Sequence, residues 1–228
     1  LEEAIQKGLI RNYGLASWNS FRVDSNNAQH SSLQKIVDLA NKVGGKNNGF
    51  KFIQAPINLT NPEIFIEKFQ EVTIPEKIDD EKSFNSYQGK ELKKGSLTAF
   101  INNPYDGHEK TDISNNNNSS GKKIFTTTTA LCNLNKINLI SSSPLLQGLL
   151  LDMPLENKIG LKYNPSKHLQ IIRSIPADCL KSTLVGMKSQ AHIKCNMEIL
   201  KVPRLTPLEF YELLTPKKRS PHIEKEFN

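Results

Sequence analysis

Apolar residues recur with helical spacing in several parts of the chain. Residues 1–7 place Leu1, Ala4 and Ile5 on one face and end at Gly8, which predicts the closing turns of an amphipathic helix. Because the chain opens on Leu1 within this pattern, we expect it to be a piece of a longer protein. Further helices are predicted over residues 31–43, 125–133, 165–174 and 190–200, from Pro62 onwards, and from Thr206 onwards.

Two of these helices have a well-defined apolar face. The spacing predicts one buried face in each, formed in the first by Leu33, Ile36, Val37, Leu39 and Ala40, and in the second by His168, Leu169, Ile171 and Ile172.

Short apolar runs alternate with these helices. Strands are predicted over residues 9–15, 50–53, 137–141 and 182–185. Strands separated by helices imply parallel pairing with right-handed crossovers, and their continuous apolar character implies cover on both faces. Two α/β architectures remain open: a doubly wound open sheet, or a (β/α)8 barrel of which four units are half.

The apolar signal is lost between residues 78 and 123. Charged residues, Gly, Asn and Ser dominate there, with an Asn-Ser run at residues 115–120. Such a segment buries too little apolar surface to offset the entropy of ordering it. We therefore predict βα units over residues 1–77, a disordered low-complexity Asn-rich insertion over 78–123, further βα units over 124–216, and a charged tail over 217–228.

Composition and charge remove several classes of function. The 228 residues carry a net charge of +7, but the lysines are scattered without interleaved aromatic residues, which argues against nucleic-acid binding. No apolar run is long enough to span a bilayer, and no leader is evident, so we expect a cytoplasmic protein. The three widely spaced cysteines predict neither a disulfide framework nor a metal site.

Four segments carry a resemblance to a known family. They are residues 8–18, 52–54, 142–148 and 184–196, in this order and at the ends of successive predicted strands. Together they resemble the C-terminal half of an aldo-keto reductase, strands five to eight of a (β/α)8 barrel. The resemblance implies an NADP-dependent oxidoreductase as the parent protein, which transfers hydride between NADPH and a carbonyl or alcohol substrate.

Candidate cofactor-binding residues follow each predicted strand, where ligands of such barrels lie. Ser17 and Gln54 are suited to the nicotinamide carboxamide, although Ser17 also fits an ordinary turn and Gln54 a partner for stray backbone groups. The loop after the third strand suits pyrophosphate through its backbone N–H groups, or else is a turn before a core segment. Its candidate residues are Ser143, Pro144, Leu145, Gln147 and Gly148.

The last group precedes and opens the helix at residues 190–200. Gly186 and Met187 lead to this helix N-terminus, which attracts anions. Lys188 and His192 are placed to meet the 2′-phosphate of NADPH, although Lys188 also fits a solvated loop lysine. By resemblance, Asn196 bonds the adenine.

The chain departs from the family pattern at several positions. Ala16 and Ser17 differ from the usual residues, Ser142 replaces an aromatic ring, and Cys195 replaces a glutamate. The family's catalytic Asp, Tyr, Lys and His belong to strands that would precede Leu1, so no catalytic residue is predicted here and the chain alone is expected to be inactive. The alternative is a non-catalytic nucleotide-binding or scaffold module of the same type. Neither the carbonyl substrate nor the oligomeric state follows from the sequence.

Overall fold

The computed structural model describes residues 1–74, 122–151, 165–206 and 208–210. The chain divides into two compact units. The first comprises Leu1–Pro56, Asn61–Ser141 and Ala177–Ser182, and the second comprises Ile57–Thr60, Ser142–Pro176 and Thr183–Asn228. The predicted insertion lies outside the described residues apart from Lys122 and Lys123, and the predicted tail lies outside them entirely.

The main sheet has four strands in the described part of the chain. They are β1 (Tyr13–Ala16), β2 (Phe50–Pro56), β5 (Asn138–Ser142) and β6 (Leu180–Thr183), and they lie side by side in that order. β1 and β2 run parallel, with Ala16 opposite Gln54. The prediction of an α/β fold with a parallel sheet is confirmed, although the strand limits differ: β1 starts four residues later than expected, β2 runs to Pro56, and β6 starts two residues earlier.

Helices connect these strands in sequence. Those described are α1 (Glu2–Gln6), α2 (Leu33–Gly44), α3 (Glu63–Ile66), α4 (Thr128–Leu134), α5 (Pro165–Arg173) and α6 (Gln190–Met197). Short 3-10 helices cover Leu146–Leu151 and Glu198–Lys201. No helix among the described residues is both apolar enough and long enough to cross a bilayer.

A second, two-stranded sheet interrupts the regular alternation. β3 (Gln70–Ile74) pairs antiparallel with β4 (Lys122–Thr126), so that Val72 lies opposite Ile124. The helix predicted over residues 125–133 was therefore wrong at its start. Phe125 and Thr126 end a strand, and Thr127 caps α4 by accepting a hydrogen bond from the Ala130 N–H at 3.1 Å.

The core of the first unit forms where α2 and α4 bury their apolar faces. Leu33, Val37 and Ala40 of α2 are buried as predicted. Leu39 was also expected on that face, but its side chain is 61% exposed, because it lies at the edge of an apolar stripe too narrow to include it.

The second unit is organised around α5. The predicted face is confirmed, since all four of its residues are buried. Arg173, at the end of α5, donates to the carbonyl oxygens of Ile199 and Val202, at 3.1 Å each. The helical turn after Thr206 begins with a capping box, in which the Glu209 N–H donates to Thr206 Oγ1 and the Glu209 carboxylate accepts from the Thr206 N–H.

Candidate functional site

Ser17 lies directly after β1 and is held against β2. Its N–H donates to the carbonyl oxygen of Gln54 at 3.0 Å, which extends the parallel ladder by one residue. Its hydroxyl donates to Ser20 Oγ at 2.7 Å and accepts from the Ser20 N–H at 3.1 Å. The side chain of Ser17 is thus engaged within its own turn, which is the structural role that a serine in this position commonly takes.

Gln54 lies within β2, two residues before its end, and not after the strand as expected. Pro56 closes the strand, because proline has no N–H to continue a ladder. The Gln54 side chain is half-buried, and its carboxamide has no hydrogen-bond partner among the described residues. An unpartnered amide of this kind is able to bond a ligand, since it offers two donors and one acceptor.

The loop after β1 is anchored by residues that the sequence analysis missed. The buried Arg22 donates to the carbonyl oxygen of Trp18 and to the carboxylate of Glu63, both at 3.1 Å. Thr128 Oγ1 donates to the carbonyl oxygen of Phe21 at 2.8 Å. The contacts with Glu63 and Thr128 join segments far apart in sequence, so no local pattern could have indicated them.

The loop after β5 has an unusual backbone. Ser143, Leu146 and Gln147 have positive φ angles of 48°, 47° and 57°, and Gly148 has 98°. Positive φ is uncommon outside glycine, and clusters of such residues occur at ligand-binding turns. Two N–H groups are engaged within the loop, since Leu146 donates to the Ser143 carbonyl oxygen and Gly148 donates to that of Leu145, at 2.9 Å each. The Leu145 N–H donates to no other residue in the described part of the chain.

Two residues of the same unit hold this loop by hydrogen bonds. Asn58 Nδ2 donates to the Ser143 carbonyl oxygen at 3.0 Å, and the Ile57 N–H donates to the Ser142 carbonyl oxygen at 3.1 Å. Asn58 is buried, and its own side-chain oxygen accepts from the N–H and hydroxyl of Thr60. The Asn-Leu-Thr sequence immediately after β2 is a signal for this Asx turn, and the sequence analysis overlooked it.

The segment before α6 leads into a capped helix N-terminus. Ser189 Oγ accepts from the His192 N–H at 3.2 Å and so satisfies one of the helix's four free N–H groups. Met187, Lys188 and His192 are exposed around this end. The geometry and the charge of Lys188 together make it suitable for an anionic group.

Asn196 takes a supporting position in the structure. It is buried, and its Nδ2 donates to the carbonyl oxygen of Gly186 at 3.0 Å. This bond ties the last turn of α6 to the segment that precedes the helix. Cys195, its neighbour, is exposed.

Tyr13, the only tyrosine in the described part of the chain, does not present the chemistry of a catalytic acid. Tyr13 opens β1, at the opposite end of the strand from Ser17, and its hydroxyl donates to Glu2 Oε1 at 2.7 Å. Burial, together with the hydrogen bond and the charge of Glu2, raises the pKa of Tyr13 to about 12. A general acid needs a pKa nearer to neutrality. The described residues also contain no cluster of three His, Cys, Asp or Glu that could hold a metal.

The structure thus brings the candidate residues together in two groups. Ser17 and Gln54 are joined through the backbone in the first unit. The other candidates lie either in the loop after β5 or in the segment that leads into α6 and in α6 itself. All of them belong to the second unit. That both groups bind one dinucleotide stays a prediction.

No family model matches the chain, and no curated protein matches it. Among solved structures, the chain is similar to the apo form of the aldo-keto reductase AKR11C1 from Bacillus halodurans, with 13% identity and a TM-score of 0.47. It is also similar to the holo form, with 14% identity and a TM-score of 0.40. Each match covers 96% of this chain and 56% of the other, so the chain spans little more than half the length of the aldo-keto reductase structures to which it is similar.

Proposed function

We propose that this chain is the cofactor-binding part of an NADPH-dependent reductase of the aldo-keto reductase type. On this proposal its four βα units are the second half of a (β/α)8 barrel. The strand order supports it: β1, β2, β5 and β6 neighbour each other in chain order, whereas a doubly wound sheet reverses its order at a switch point. In a barrel of this kind, ligands bind at the carboxyl ends of the strands.

The observation that carries the proposal is the backbone of the loop after β5. Four of its six residues from Ser143 to Gly148 are left-handed, and three of those are not glycine. Such a backbone costs on the order of 1–3 kcal/mol per residue and persists where the surroundings impose it. Bonds from Asn58 and Ile57 to the carbonyl oxygens of Ser143 and Ser142 hold the start of the loop. We assign the loop to the pyrophosphate, which its free N–H groups, that of Leu145 among them, would hold without a lysine.

The N-terminus of α6 supports NADPH rather than NADH as the proposed cofactor. Lys188 and His192 are exposed beside a helix N-terminus, in the same unit as the pyrophosphate loop. A lysine beside a helix N-terminus favours a phosphate dianion over a hydroxyl by both charge and dipole. We therefore assign these residues to the 2′-phosphate, which distinguishes NADPH from NADH. Asn196 positions this segment by its bond to Gly186.

We assign the nicotinamide to two residues of the first unit. Gln54, with its unpartnered carboxamide, would bond the nicotinamide carboxamide and so orient the ring, while Ser17 shapes the turn beside it. NADPH supplies the hydride when it is bound. Reduction of a small carbonyl substrate also needs a proton from a general acid, and we assign that role to no described residue.

Two observations favour a non-catalytic nucleotide-binding module as the second candidate. The Ser17 hydroxyl is already bonded within its own turn, and Ser142 offers no ring to stack on a nicotinamide. Both features weaken control of the nicotinamide and leave the phosphate contacts intact. This candidate predicts nucleotide binding without hydride transfer even in the full-length protein.

The experiment is a titration of the 228-residue chain with NADPH and with NADH, followed by the fluorescence of the reduced nicotinamide. Lys188→Met is expected to weaken NADPH binding about tenfold and to leave NADH binding unchanged, since one charge-assisted phosphate contact is lost. Lys194→Met is the matched control, because Lys194 is exposed in the last turn of the same helix. Equal affinity of the unmodified chain for both nucleotides would overturn the assignment of the 2′-phosphate.

A second pair of variants tests the pyrophosphate loop. Gly148→Ala forces an alanine to adopt a φ of 98°, in open space, and so perturbs the backbone without a steric clash. Gly45→Ala imposes similar strain at a φ of 71° after α2. We expect both variants to lose about 1–2 kcal/mol of stability, but only Gly148→Ala to weaken both nucleotides. Equal nucleotide affinity in the two variants would refute the role of the loop.

A further inference from the structure

Two buried cysteines lie near each other in the first unit, and neither is among the candidate nucleotide-binding residues. Cys132, in the last turns of α4, is 0% exposed, and Cys179, just before β6, is 4% exposed. Their spacing in the sequence gave no indication that they are neighbours. Cys195 is exposed on α6 and belongs to the second unit.

Backbone hydrogen bonds fix both cysteines beside the same strand. The carbonyl oxygen of Cys132 accepts from the Ile137 N–H at 2.8 Å, and that of Cys179 accepts from the Leu139 N–H at 2.7 Å. Ile137 and Leu139 are two residues apart in extended chain, a span of about 6–7 Å. The two cysteines are therefore held by amides one strand repeat apart.

Side-chain contacts bring the sulfur atoms to the same place. Cys179 Sγ donates to the carbonyl oxygen of Thr129 at 3.5 Å, and Thr129 lies one turn before Cys132 on α4. Burial raises the pKa of the Cys132 thiol, and its hydrogen bond and electrostatic interaction with Cys179 add to the effect. Cys132 is thus a protonated thiol, and Cys179 Sγ lies against the helical turn that precedes it.

We propose that Cys132 and Cys179 are a redox modification site that forms an intramolecular disulfide by exchange with a low-molecular-weight disulfide. In the first step, the thiolate of one cysteine attacks a sulfur of the reagent, forms a mixed disulfide and releases one small thiolate. In the second, the other cysteine displaces the remaining small thiolate and closes the protein S–S bond. The two protein thiols lose two electrons and two protons, and the reagent gains both as two thiols.

The structure sets the character of this site. Attack requires a thiolate, and the raised pKa of Cys132 together with burial makes the reaction slow, through transient opening of α4. Once a mixed disulfide has formed, the folded structure holds the second sulfur beside it, so that ring closure is strongly favoured. Cys195 has no such neighbour among the described residues, so we expect it to stop at the mixed disulfide.

The test equilibrates the unmodified 228-residue chain with reduced and oxidised glutathione in varied ratio, followed by acid quenching, alkylation and tryptic mass spectrometry. We expect peptides 124–136 and 174–181 to appear joined, with the loss of two hydrogens. Half-oxidation of the pair should need at least about 100-fold less oxidised glutathione than half-modification of Cys195. Cys195→Ser should leave the joined peptides unchanged, whereas Cys132→Ser should abolish them.

Thermal unfolding of the oxidised and reduced chains provides a second measurement that needs no variant. The disulfide would close a loop of about 47 residues, and we expect it to raise Tm by about 10 °C. The proposal is overturned if Cys132 and Cys179 are both recovered as free thiols when Cys195 is fully modified, if either pairs with Cys195 or another molecule, or if oxidation lowers Tm.

Discussion

His168→Leu is expected to stabilise the protein, contrary to the usual effect of changing a buried residue. The His168 side chain in α5 is 1% exposed, and neither ring nitrogen has a hydrogen-bond partner among the described residues. Burial lowers the pKa of this imidazole from its ordinary value of 6.5, so it is neutral in the folded protein at pH 7. A leucine of similar size keeps the apolar contacts with the rest of α5 and removes the polar atoms.

The magnitude follows from the cost of burying polar groups. An unsatisfied buried donor or acceptor costs about 1–3 kcal/mol of stability, which the leucine recovers. The altered shape of the leucine side chain destabilises the core by about 1 kcal/mol. We therefore expect the free energy of unfolding to rise by about 1–2 kcal/mol at pH 7.5. The pH dependence gives a second signature. The unfolded chain takes up a proton at His168 at a higher pH than the folded protein does, so the stability of the unmodified protein falls as the pH drops below 6.5. The variant lacks this contribution.

Urea unfolding at pH 7.5 and pH 5.5, followed by circular dichroism, measures both effects. His30→Leu is the matched control, because His30 Nδ1 donates to the carbonyl oxygen of Val23 at 2.9 Å and its loss should destabilise. The reasoning is refuted if His168→Leu destabilises as much as His30→Leu at pH 7.5. It is equally refuted if the gap between His168→Leu and the unmodified protein fails to widen at pH 5.5.

Two further predictions concern β1. Because the pKa of Tyr13 is about 12 in the folded protein, the free energy of unfolding should fall as the pH rises from 10 to 12. Tyr13→Phe should flatten this decline. Absorbance at 295 nm across the pH titration should show that one of the five tyrosines ionises at a higher pH than the others. An unfolded-like ionisation of all five would contradict this. Gly14→Ala places a methyl group against the carbonyl oxygen of Phe52 and should lower the free energy of urea unfolding by about 2–4 kcal/mol. Gly186→Ala is the control, because its methyl group meets open space and should cost little. Equal losses in the two variants would show that the strands shift to accommodate the methyl group at residue 14.

Local patterns predicted the helices of this chain well. The stripe of α2 from Leu33 to Ala40 and the buried face of α5 both follow from spacing alone. The end of the first helix at Gly8 follows from the residue type, because glycine readily adopts a positive φ, and the φ of Gly8 is 69°. The capping box at Thr206 was also visible, since its two side chains are three residues apart. These features depend on neighbours within a turn or two of helix.

Contacts between distant segments were not predictable in the same way. β3 and β4 pair across the segment between residues 74 and 122, so local sequence could not indicate the partner of either strand. Each strand did carry a weak local signal, in the alternation of Val72 and Ile74 with polar residues and in the β-branched Thr126. The pairing of Cys132 with Cys179 depends wholly on the main sheet.

The candidate site shows the same division. The residue types in the loop after β5 were recognised, and Gly148 indicated a turn. The positive φ angles of Leu146 and Gln147 were not predictable from residue type, because neither is a glycine. The bonds from Asn58 and Ile57 to Ser143 and Ser142 were not predictable either, because they join segments about 85 residues apart. The Ser17 hydroxyl was expected to face a ligand, and its bond to Ser20 depends on the path of the whole turn.

Hydrogen exchange of the 228-residue chain with and without NADPH tests the central claim most directly, because it follows both groups of residues at once. A single bound dinucleotide should slow exchange in residues 143–148 and 186–193 of the second unit, and also in residues 15–20 and 52–56 of the first. Protection confined to one unit, or spread over neither, would contradict the claim that Ser17, Gln54 and the two phosphate-binding segments serve one nucleotide.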